Sequence, residues 1–561
     1  MDASAASPLE WLTKLSKRQV KFLSEPSIAS LFNYHPNDIA EAFLKAFSSS
    51  WTVTQNDEIP HEWLSWWKWA SNEPDRWLDL IKENTIIHTN ETPSDSETSP
   101  ASTFQCPSDV VDILLRLKSV SIPRFADSVT LHTDEASFSK NLYRGSPPSL
   151  SVEEVFLNKK PMGMSPKKMH EVCRMASYIY RLIETLERES GISISHVVDV
   201  GAGQGYLSRA LRDMRPTGSE GRDIHVLALD SVDEQTSGAR RRQTRAEKKN
   251  KNSKAGKVGS VTHRTLQLGF DLRNDRELAN APSDQSASQL ALEAVINEWL
   301  EELEHTDDSL HSTNNLGSSS KITTPILFVA LHACGSLTPT VLRQVVTFKN
   351  KASNRAWYCA AAVVVGCCYN LLEHSDFPLS DAVKAQASSH SPPLDLSASH
   401  LQLAAQVPLQ WLRSDEALSD FKLALRKMSY RALLSAFLQN LETNDDHDNA
   451  AKRRRVGKLN DNAYADFDTF LAAAGMKLQV DFMEMRRSRF ADIENSSIVR
   501  QLEVLHVLRC NLGPAVESLI VVDRLCWLEE AVGGELDVEL VNLFDQATSS
   551  GRNLGIVVRP R

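Results

Sequence analysis

The sequence predicts an α/β fold of the doubly wound, Rossmann-like kind. The expected sheet is mostly parallel with an antiparallel C-terminal strand pair, and it carries a helical N-terminal region and a large helical insertion. Three observations lead there. Short continuous apolar runs at 196–200, 226–229, 326–331 and 360–365 have the length and composition of parallel strands covered on both faces. Helical patterns alternate with them, which requires crossover connections and places any ligand beyond the carboxyl ends of the strands. The segments 538–545 and 553–558 read as two further strands joined by a short connection, which can only pair antiparallel.

The elements follow in chain order. Residues 8–85 carry helical apolar spacing (Val20, Leu23, Phe32, Ala40, Phe43, Leu44) beside a tryptophan-rich segment, Trp63, Trp66, Trp67 and Trp69, read as core packing. A helix opens at Ser165-Pro166, with Ser as N-cap and Pro at the first helical position. It carries Met169, Val172, Cys173, Ala176, Ile179, Ile183 and Leu186 on one stripe and stops near Gly191. The first three strands and the helical pattern 338–346 lead to the fourth strand at 360–365. An amphipathic helix is expected over about 514–530. The polar stretches 88–105, 235–260, 272–322, 381–398 and 441–462 read as loops or insertions, too poor in large apolar groups to offset the entropy of ordering. The expected organisation is a helical region 1–160, a core 161–380, a helical insertion 381–512 and a closing unit 513–561. The N-terminal region and the insertion are expected to shape an acceptor cleft.

With 561 residues, 62 Lys+Arg against 72 Asp+Glu and a net charge of −10, the chain has room for a substantial core and no global positive field to attract nucleic acid. The N-terminus lacks a basic, apolar leader and no run of about 18 apolar residues stands out, so neither secretion nor membrane spanning is expected. Eight dispersed cysteines, none in a C-x-x-C pair, suit a reducing intracellular compartment.

The densest local signal is Val197-Val-Asp-Val-Gly-Ala-Gly-Gln-Gly-Tyr-Leu-Ser-Arg-Ala-Leu211, an apolar strand, an acidic residue, a glycine turn and a helix. Gly201, Gly203 and Gly205, with Ala202 between them, permit a tight turn and close approach of a ligand. A dinucleotide fingerprint would place its third glycine where Tyr206 stands, which disfavours a nicotinamide cofactor. Asp199 beside the turn could hold a cationic amino-acid moiety, directly or through water. Asp230, followed by Ser231 at the end of the second strand, could accept from both ribose hydroxyls. Together these favour S-adenosyl-L-methionine.

At this point the sequence resembles the class I S-adenosylmethionine-dependent methyltransferases, and within them the methyltransferase-like protein 25 family, also labelled ribosomal RNA adenine dimethylase domain-containing. The resemblance rests on Met164-Ser-Pro-Lys-Lys-Met-His-Glu171, Asp199-Val-Gly-Ala-Gly-Gln-Gly205, Leu331-His-Ala-Cys-Gly335, Val365-Gly-Cys-Cys-Tyr-Asn-Leu-Leu372, Phe377-Pro-Leu-Ser380 and Leu543-Phe-Asp with Arg552-Asn-Leu. It implies a cofactor bound by Asp199, Gly201, Gly203 and Gly205 around its methionine part and by Asp230 on its ribose, with the acceptor over the fourth and fifth strands. It also makes Lys167, Lys168 and His170 candidates for cofactor or acceptor contact. Asn370 stands where the family pattern has His, so a proton-transfer role is not expected there.

His332, Tyr369 and Asn370 are the catalytic candidates. His332 could act as a base near neutral pH or be a structural imidazole, and Tyr369 could offer an aromatic face or simply pack. The Asn/Asp-Pro-Pro-Tyr type motif that grips the exocyclic amine of adenine is replaced by His332-Ala-Cys-Gly, so the adenine dimethylase label gains little from the residues. No metal is expected, because adjacent cysteines in a strand point to opposite faces and Cys367 and Cys368 would not share an ion. The basic runs 240–257 and 452–455 suit RNA phosphates and nuclear import respectively, or solvated charge alone. The expected function is methyl transfer from S-adenosyl-L-methionine to a macromolecule, RNA ahead of protein, with no sign of DNA or membrane partners. The competing expectations are a non-catalytic cofactor-binding scaffold and an NAD-dependent oxidoreductase.

Overall fold

The structure is a computed structural model that describes residues 7–48, 59–89, 106–124, 143–144, 155, 163–214, 223–250, 259–269, 284–307, 323–351, 355–442, 456–489, 496–544, 546 and 550–561. The chain divides into two compact units, one comprising 1–16, 123–386 and 520–561 and the other 17–122 and 387–519.

The first unit is built on one sheet. Its strands are β1 (Tyr143–Arg144), β2 (His196–Val200), β3 (His225–Asp230), β4 (Val261–Thr265), β5 (Thr324–Cys334), β6 (Trp357–Cys367), β7 (Leu536–Asn542) and β8 (Leu554–Pro560), in the spatial order β1-β7-β8-β6-β5-β2-β3-β4. Seven strands of five residues or more thus form the sheet proper, with a two-residue strand at one edge. All pairings are parallel except those of β8, which runs antiparallel to both β6 and β7. The order reverses between β2 and β5, where Val198 lies between Leu227 and Phe328, and that switch point is where a ligand crevice opens in such sheets.

The helix Pro166–Ser190 packs beneath this point. The side chain of Ser165 accepts from the Lys168 amide at 3.3 Å, and Gly191 closes the helix at φ +62°. Its stripe of Val172, Ala176, Ile179 and Ile183 is buried with Val197, Val226, Leu327 and Val363 of the sheet. Fully burying each Val or Ile side chain of this stripe stabilises the fold by about 1.5–3 kcal/mol.

Several expectations are corrected. The stretch 235–260 contains most of a helix, Asp233–Asn250, and the edge strand β4 follows directly. That helix is rich in Arg, Lys, Gln and Glu, good helix formers without an apolar stripe, so hydrophobic periodicity could not find it. Within 272–322 lies the helix Asp284–Asp307, whose Leu292, Ile296 and Trp299 recur at helical spacing and are buried. Polar flanking segments had diluted that stripe.

A helix also occupies Asp381–Ser388. Its entry is capped from far along the chain. Asp523 accepts from the amides of Leu379 (2.8 Å) and Ser380 (2.9 Å), and Glu530 from those of Asp381 (3.0 Å) and Ala382 (3.1 Å). The helix Gly513–Val532 is not amphipathic: Val516, Leu519, Ile520, Val522, Leu525, Cys526 and Leu528 are buried on all its faces. By length and composition the stretch Ser497–Val532 could span a bilayer, but 89% of its apolar window is buried within the protein, as in core helices.

Among the described residues of the second unit, every regular element is a helix. Trp63, Trp66 and Trp67 are buried with ring centroids 5.1–6.0 Å apart, the packing role expected of them, and Trp63 Nε1 donates to Ser30 Oγ at 2.9 Å. Gln501 Nε2 donates to the Trp67 carbonyl (3.1 Å) and Asn84 Nδ2 to Asn511 Oδ1 (3.2 Å), which ties the N-terminal helices to the later segment.

Candidate active site

The glycine turn joins β2 to the helix Tyr206–Asp213. Gly201, Gly203 and Gly205 all have left-handed φ (+71°, +55° and +65°), but their surroundings differ. A Cβ on Gly201 would meet Leu337 Cδ2 at 3.2 Å, and one on Gly205 would meet His263 Cε1 at 2.7 Å, so close packing demands glycine at both. A Cβ on Gly203 would meet nothing within 4 Å. The backbone at Gly203 therefore faces open space that a side chain would fill. Ala202 anchors the turn by donating its amide to the Leu229 carbonyl at 2.9 Å.

Asp230, at the tip of β3, braces this turn. Its Oδ2 accepts from the Gly203 amide at 2.8 Å and its Oδ1 from the Val232 amide at 2.9 Å. Ser231 beside it is exposed. Asp199 is placed differently. Its carboxylate is 1% exposed and accepts from Ser208 Oγ at 2.6 Å, under the first turn of the helix Tyr206–Asp213. Burial pushes its carboxyl up to about 6, opposed by the Ser208 hydrogen bond and the Lys168 charge. Any influence of Asp199 on a ligand is thus electrostatic or through the loop it braces. Ser208, absent from the sequence-derived candidates, lies nine residues after Asp199 in a position that only the strand-turn-helix geometry reveals.

Tyr206 forms the rim. Its hydroxyl donates to the Gly163 carbonyl at 3.1 Å, and the Arg209 and Arg242 guanidinium carbons lie 5.1 and 5.8 Å from its ring centroid. Arg209 Nη1 donates to the Gln204 carbonyl at 2.8 Å. Arg240, Arg241, Arg242 and Arg245 are exposed on the helix Asp233–Asn250, which thus carries the first basic run to the edge of the glycine turn. The remainder of that run beyond 250, and the run 452–455, lie outside the described residues.

On the other side of the turn, the His332 carbonyl lies 3.9 Å from where a Gly201 Cβ would stand. The imidazole Nε2 of His332 meets Glu171 Oε2 at 3.1 Å, and Lys168 Nζ approaches the same oxygen at 3.4 Å. Glu171 is 2% exposed. Burial would raise its carboxyl, but the hydrogen bond and charge of His332, together with Lys168, hold it down to about 2. Burial would lower His332, yet hydrogen bonds to Cys367 and Glu171 raise it above its ordinary value. Nε2 of the ring donates to the Glu171 carboxylate, which fixes the orientation of the imidazole. Glu171 escaped the sequence reading, although it closes the motif containing Lys168 and sits one helical turn after it. Lys167 is exposed and His170 half-buried on the same helix.

Tyr369 is 3% exposed, packed against Gly366, with the Arg552 guanidinium 5.9 Å from its ring centroid. It offers no open stacking face. Asn370 follows it, half-buried, in the short helix Tyr369–Leu371.

The cysteines beside His332 correct the sequence expectation. Cys367 ends β6, but Cys368 lies past the strand at φ +46°, in the left-handed region, so the two side chains do not alternate across a pleat. Cys367 and Cys368 Sγ are 3.5 Å apart, and with Cys334 Sγ all three sulfurs lie within 4.8 Å of one another. The hydrogen bond from Cys334 is the largest influence holding the Cys367 thiol far below its ordinary value; burial opposes it and His332 reinforces it. All eight cysteines are free.

Residues 167–375 match the family described as Methyltransferase domain. The chain is 24% identical to the probable methyltransferase-like protein 25 of Mus musculus, over 69% of this chain and 74% of the mouse protein. It is 25% identical to the Homo sapiens protein of the same name, over 40% of this chain and 35% of that relative. No solved structure matches the chain. The matched segment spans β2 to β6 and the helix before them, which includes the glycine turn, Asp230, His332 and the cysteine cluster. Residues 167–375 thus carry a methyltransferase domain, and over 69% of its length the chain is similar to a probable methyltransferase-like protein 25.

Proposed function

We propose that the protein is an S-adenosyl-L-methionine-dependent methyltransferase whose acceptor is RNA. The observation that carries the cofactor assignment is the open space over Gly203 in a turn whose amide is held by the Asp230 carboxylate at the sheet's switch point. Three features of the chain fit the cofactor. The bare backbone at Gly203 admits close approach, the Asp230 oxygens retain lone pairs for hydroxyl donors, and the buried negative site at Asp199 lies beneath the turn.

When bound, the cofactor supplies an electrophilic methyl group; the chain's own residues bind and orient. Gly201, Ala202, Gly203 and Gly205 would line the methionine side, with Asp230 and Ser231 toward the ribose. Tyr206, fixed by Gly163 and flanked by Arg209 and Arg242, would limit access of water at the rim. His332, held by Glu171 through Nε2, would stand at the end of β5 beside the turn.

RNA is favoured over protein because four exposed arginines, 240, 241, 242 and 245, line the helix that starts at the cofactor side of the sheet, a local positive strip on an otherwise acidic chain. The test is calorimetric titration with S-adenosylmethionine and S-adenosylhomocysteine, then transfer of labelled methyl into cell extract separated into RNA and protein. Label in RNA supports the proposal. Label confined to protein overturns the acceptor, and binding without label in either fraction supports a non-catalytic scaffold.

A further inference from the structure

We propose that Cys334, Cys367 and Cys368 form a three-thiolate binding site for a soft divalent metal ion of the zinc class, with a fourth coordination position open. The proposal stands on the sulfur geometry and does not depend on the cofactor assignment.

The backbone builds the cluster from two neighbouring strand ends. Cys334 closes β5 and pairs in register with Cys367 at the end of β6, and the Gly335 amide donates to the Cys367 carbonyl at 2.9 Å. A register shift between Ala330 and Ala333 precedes Cys334. Gly335 then turns at φ +52°, so tightly that a Cβ there would lie 2.5 Å from the Leu371 carbonyl oxygen. Cys368 adopts φ +46°, a left-handed conformation unfavourable for a residue with a side chain. That local cost accompanies the departure from strand geometry that lets Cys368 share the site of Cys367 and Cys334.

The spacing suits a tetrahedral ion. With Zn–S bonds of about 2.3 Å, the sulfurs of a tetrahedron stand about 3.8 Å apart. The 3.5 Å between Cys367 and Cys368 Sγ, with all three sulfurs within 4.8 Å of one another, is compatible with that edge. Among the described residues no fourth His, Cys, Asp or Glu joins the group, which matches sites that keep a position for water or an incoming ligand rather than closed structural ones. Thiolate sulfur selects the ion class, since Mg²⁺ and Ca²⁺ prefer oxygen.

The surroundings complete the second layer such sites use. His332, two residues before Cys334, is oriented by Glu171 through its Nε2 at 3.1 Å, the kind of carboxylate–imidazole pair found in the outer shell of such sites. Cys334 is exposed and Cys367 and Cys368 half-buried, so an ion has a route in. A disulfide between Cys367 and Cys368 is the competing fate of two sulfurs this close, but it would need them to approach to about 2.05 Å and leaves the third thiol unexplained.

The experiment uses the full chain, purified under a non-chelating reductant. Metal content is measured as isolated, after chelation, and after re-addition of Zn²⁺ alone. Expected is one zinc per chain, recovered on re-addition, with three thiols protected from an aromatic disulfide reagent in the loaded form and reactive in the stripped form. Replacement by Co²⁺ should give sulfur-to-metal charge-transfer bands in the near ultraviolet. Cys334→Ser, Cys367→Ser and Cys368→Ser should each weaken zinc binding at least about tenfold. Failure of the folded, reduced wild-type chain to take up Zn²⁺ would overturn the proposal without touching the cofactor assignment. So would metal retention unchanged in all three variants, or a Cys367–Cys368 disulfide in protein isolated under reductant.

Discussion

Asp230 receives the backbone amide of Gly203 on Oδ2 at 2.8 Å, so the carboxylate at the tip of β3 also fixes the shape of the glycine turn after β2. The two residues are 27 positions apart and belong to adjacent strands of the sheet. The carboxylate holds a donor of the turn, and under the proposed function its remaining lone pairs would take ligand hydroxyls.

Removing that carboxylate should act on binding more than on folding. Asp230→Ala leaves the amides of Gly203 and Val232 without their acceptor at a half-buried site. Hydrogen bonds to charged groups contribute about 1.5–3 kcal/mol, so S-adenosylhomocysteine affinity should fall by roughly 10- to 100-fold. Asp230→Asn, which keeps one acceptor oxygen, should fall between. Titration calorimetry reads both, and wild-type affinity in a folded Asp230→Ala protein would remove Asp230 from the site.

Gly203 and Gly205 separate a binding role from a packing role at nearly equal φ. An alanine at either suffers a similar left-handed penalty, about 1–2 kcal/mol, which cancels in the comparison. Gly205→Ala also drives its Cβ against the His263 ring and should lose a further 1–3 kcal/mol or so of stability from overpacking. Gly203→Ala meets no protein atom and should melt higher than Gly205→Ala, yet bind cofactor at least about tenfold more weakly, a loss of about 1.4 kcal/mol. Melting curves beside calorimetry give both readings; Gly203→Ala binding as tightly as wild type would show that the space above the turn holds no ligand.

Much of this arrangement was legible in the sequence, and the parts that were not share a cause. Period and apolar run length identified β2, β3, β5 and β6, because strands buried on both faces advertise themselves. Ser165 and Gly191 marked the helix between them because caps are local. The helix Asp233–Asn250 had no stripe to find, and the entry to Asp381–Ser388 is capped by Asp523 and Glu530, more than 140 residues away in sequence. At the site, the glycines and Asp230 could be read from spacing. The burial of Asp199 against Ser208, the sharing of Glu171 by Lys168 and His332, and the turn that brings Cys368 to Cys334 depend on tertiary geometry.

Glu171 should prove a stability determinant of the first unit. Its Oε2 serves both Lys168 and His332, and Glu171→Ala leaves two basic groups facing a buried gap. Breaking a buried pair by removing one partner costs about 3–5 kcal/mol; the roughly 30% exposure of both cations relieves part of that, so roughly 2–4 kcal/mol is expected. In a double-mutant cycle, Glu171→Gln and His332→Gln should be non-additive, since the two groups touch. Denaturant unfolding measures the cycle, and additive losses would mean that the contact contributes nothing.

The carboxyl of Asp199 predicts a pH slope of opposite sense to that of a salt-bridged acid. Buried beneath the turn, facing Lys168, Ser208 and the more distant Asp230, it titrates at about 6 in the folded chain against an ordinary value of 3.8. Below both values the group is protonated in the folded and unfolded chain alike and has no effect. Between them the folded chain keeps a proton that the unfolded chain has lost, so stability falls as pH rises through this window. Above about pH 6 the folded chain carries the buried charge, and the accumulated penalty is about 3 kcal/mol. Asp199→Asn removes the titration while keeping an oxygen for Ser208 to donate to. The stability of Asp199→Asn relative to wild type should therefore rise by about 2.4 kcal/mol between pH 4 and pH 7, read as the difference in unfolding free energy at each pH. A difference that stays constant across this range would mean that Asp199 is ionised throughout, held as a carboxylate by Lys168 and Ser208 despite its burial.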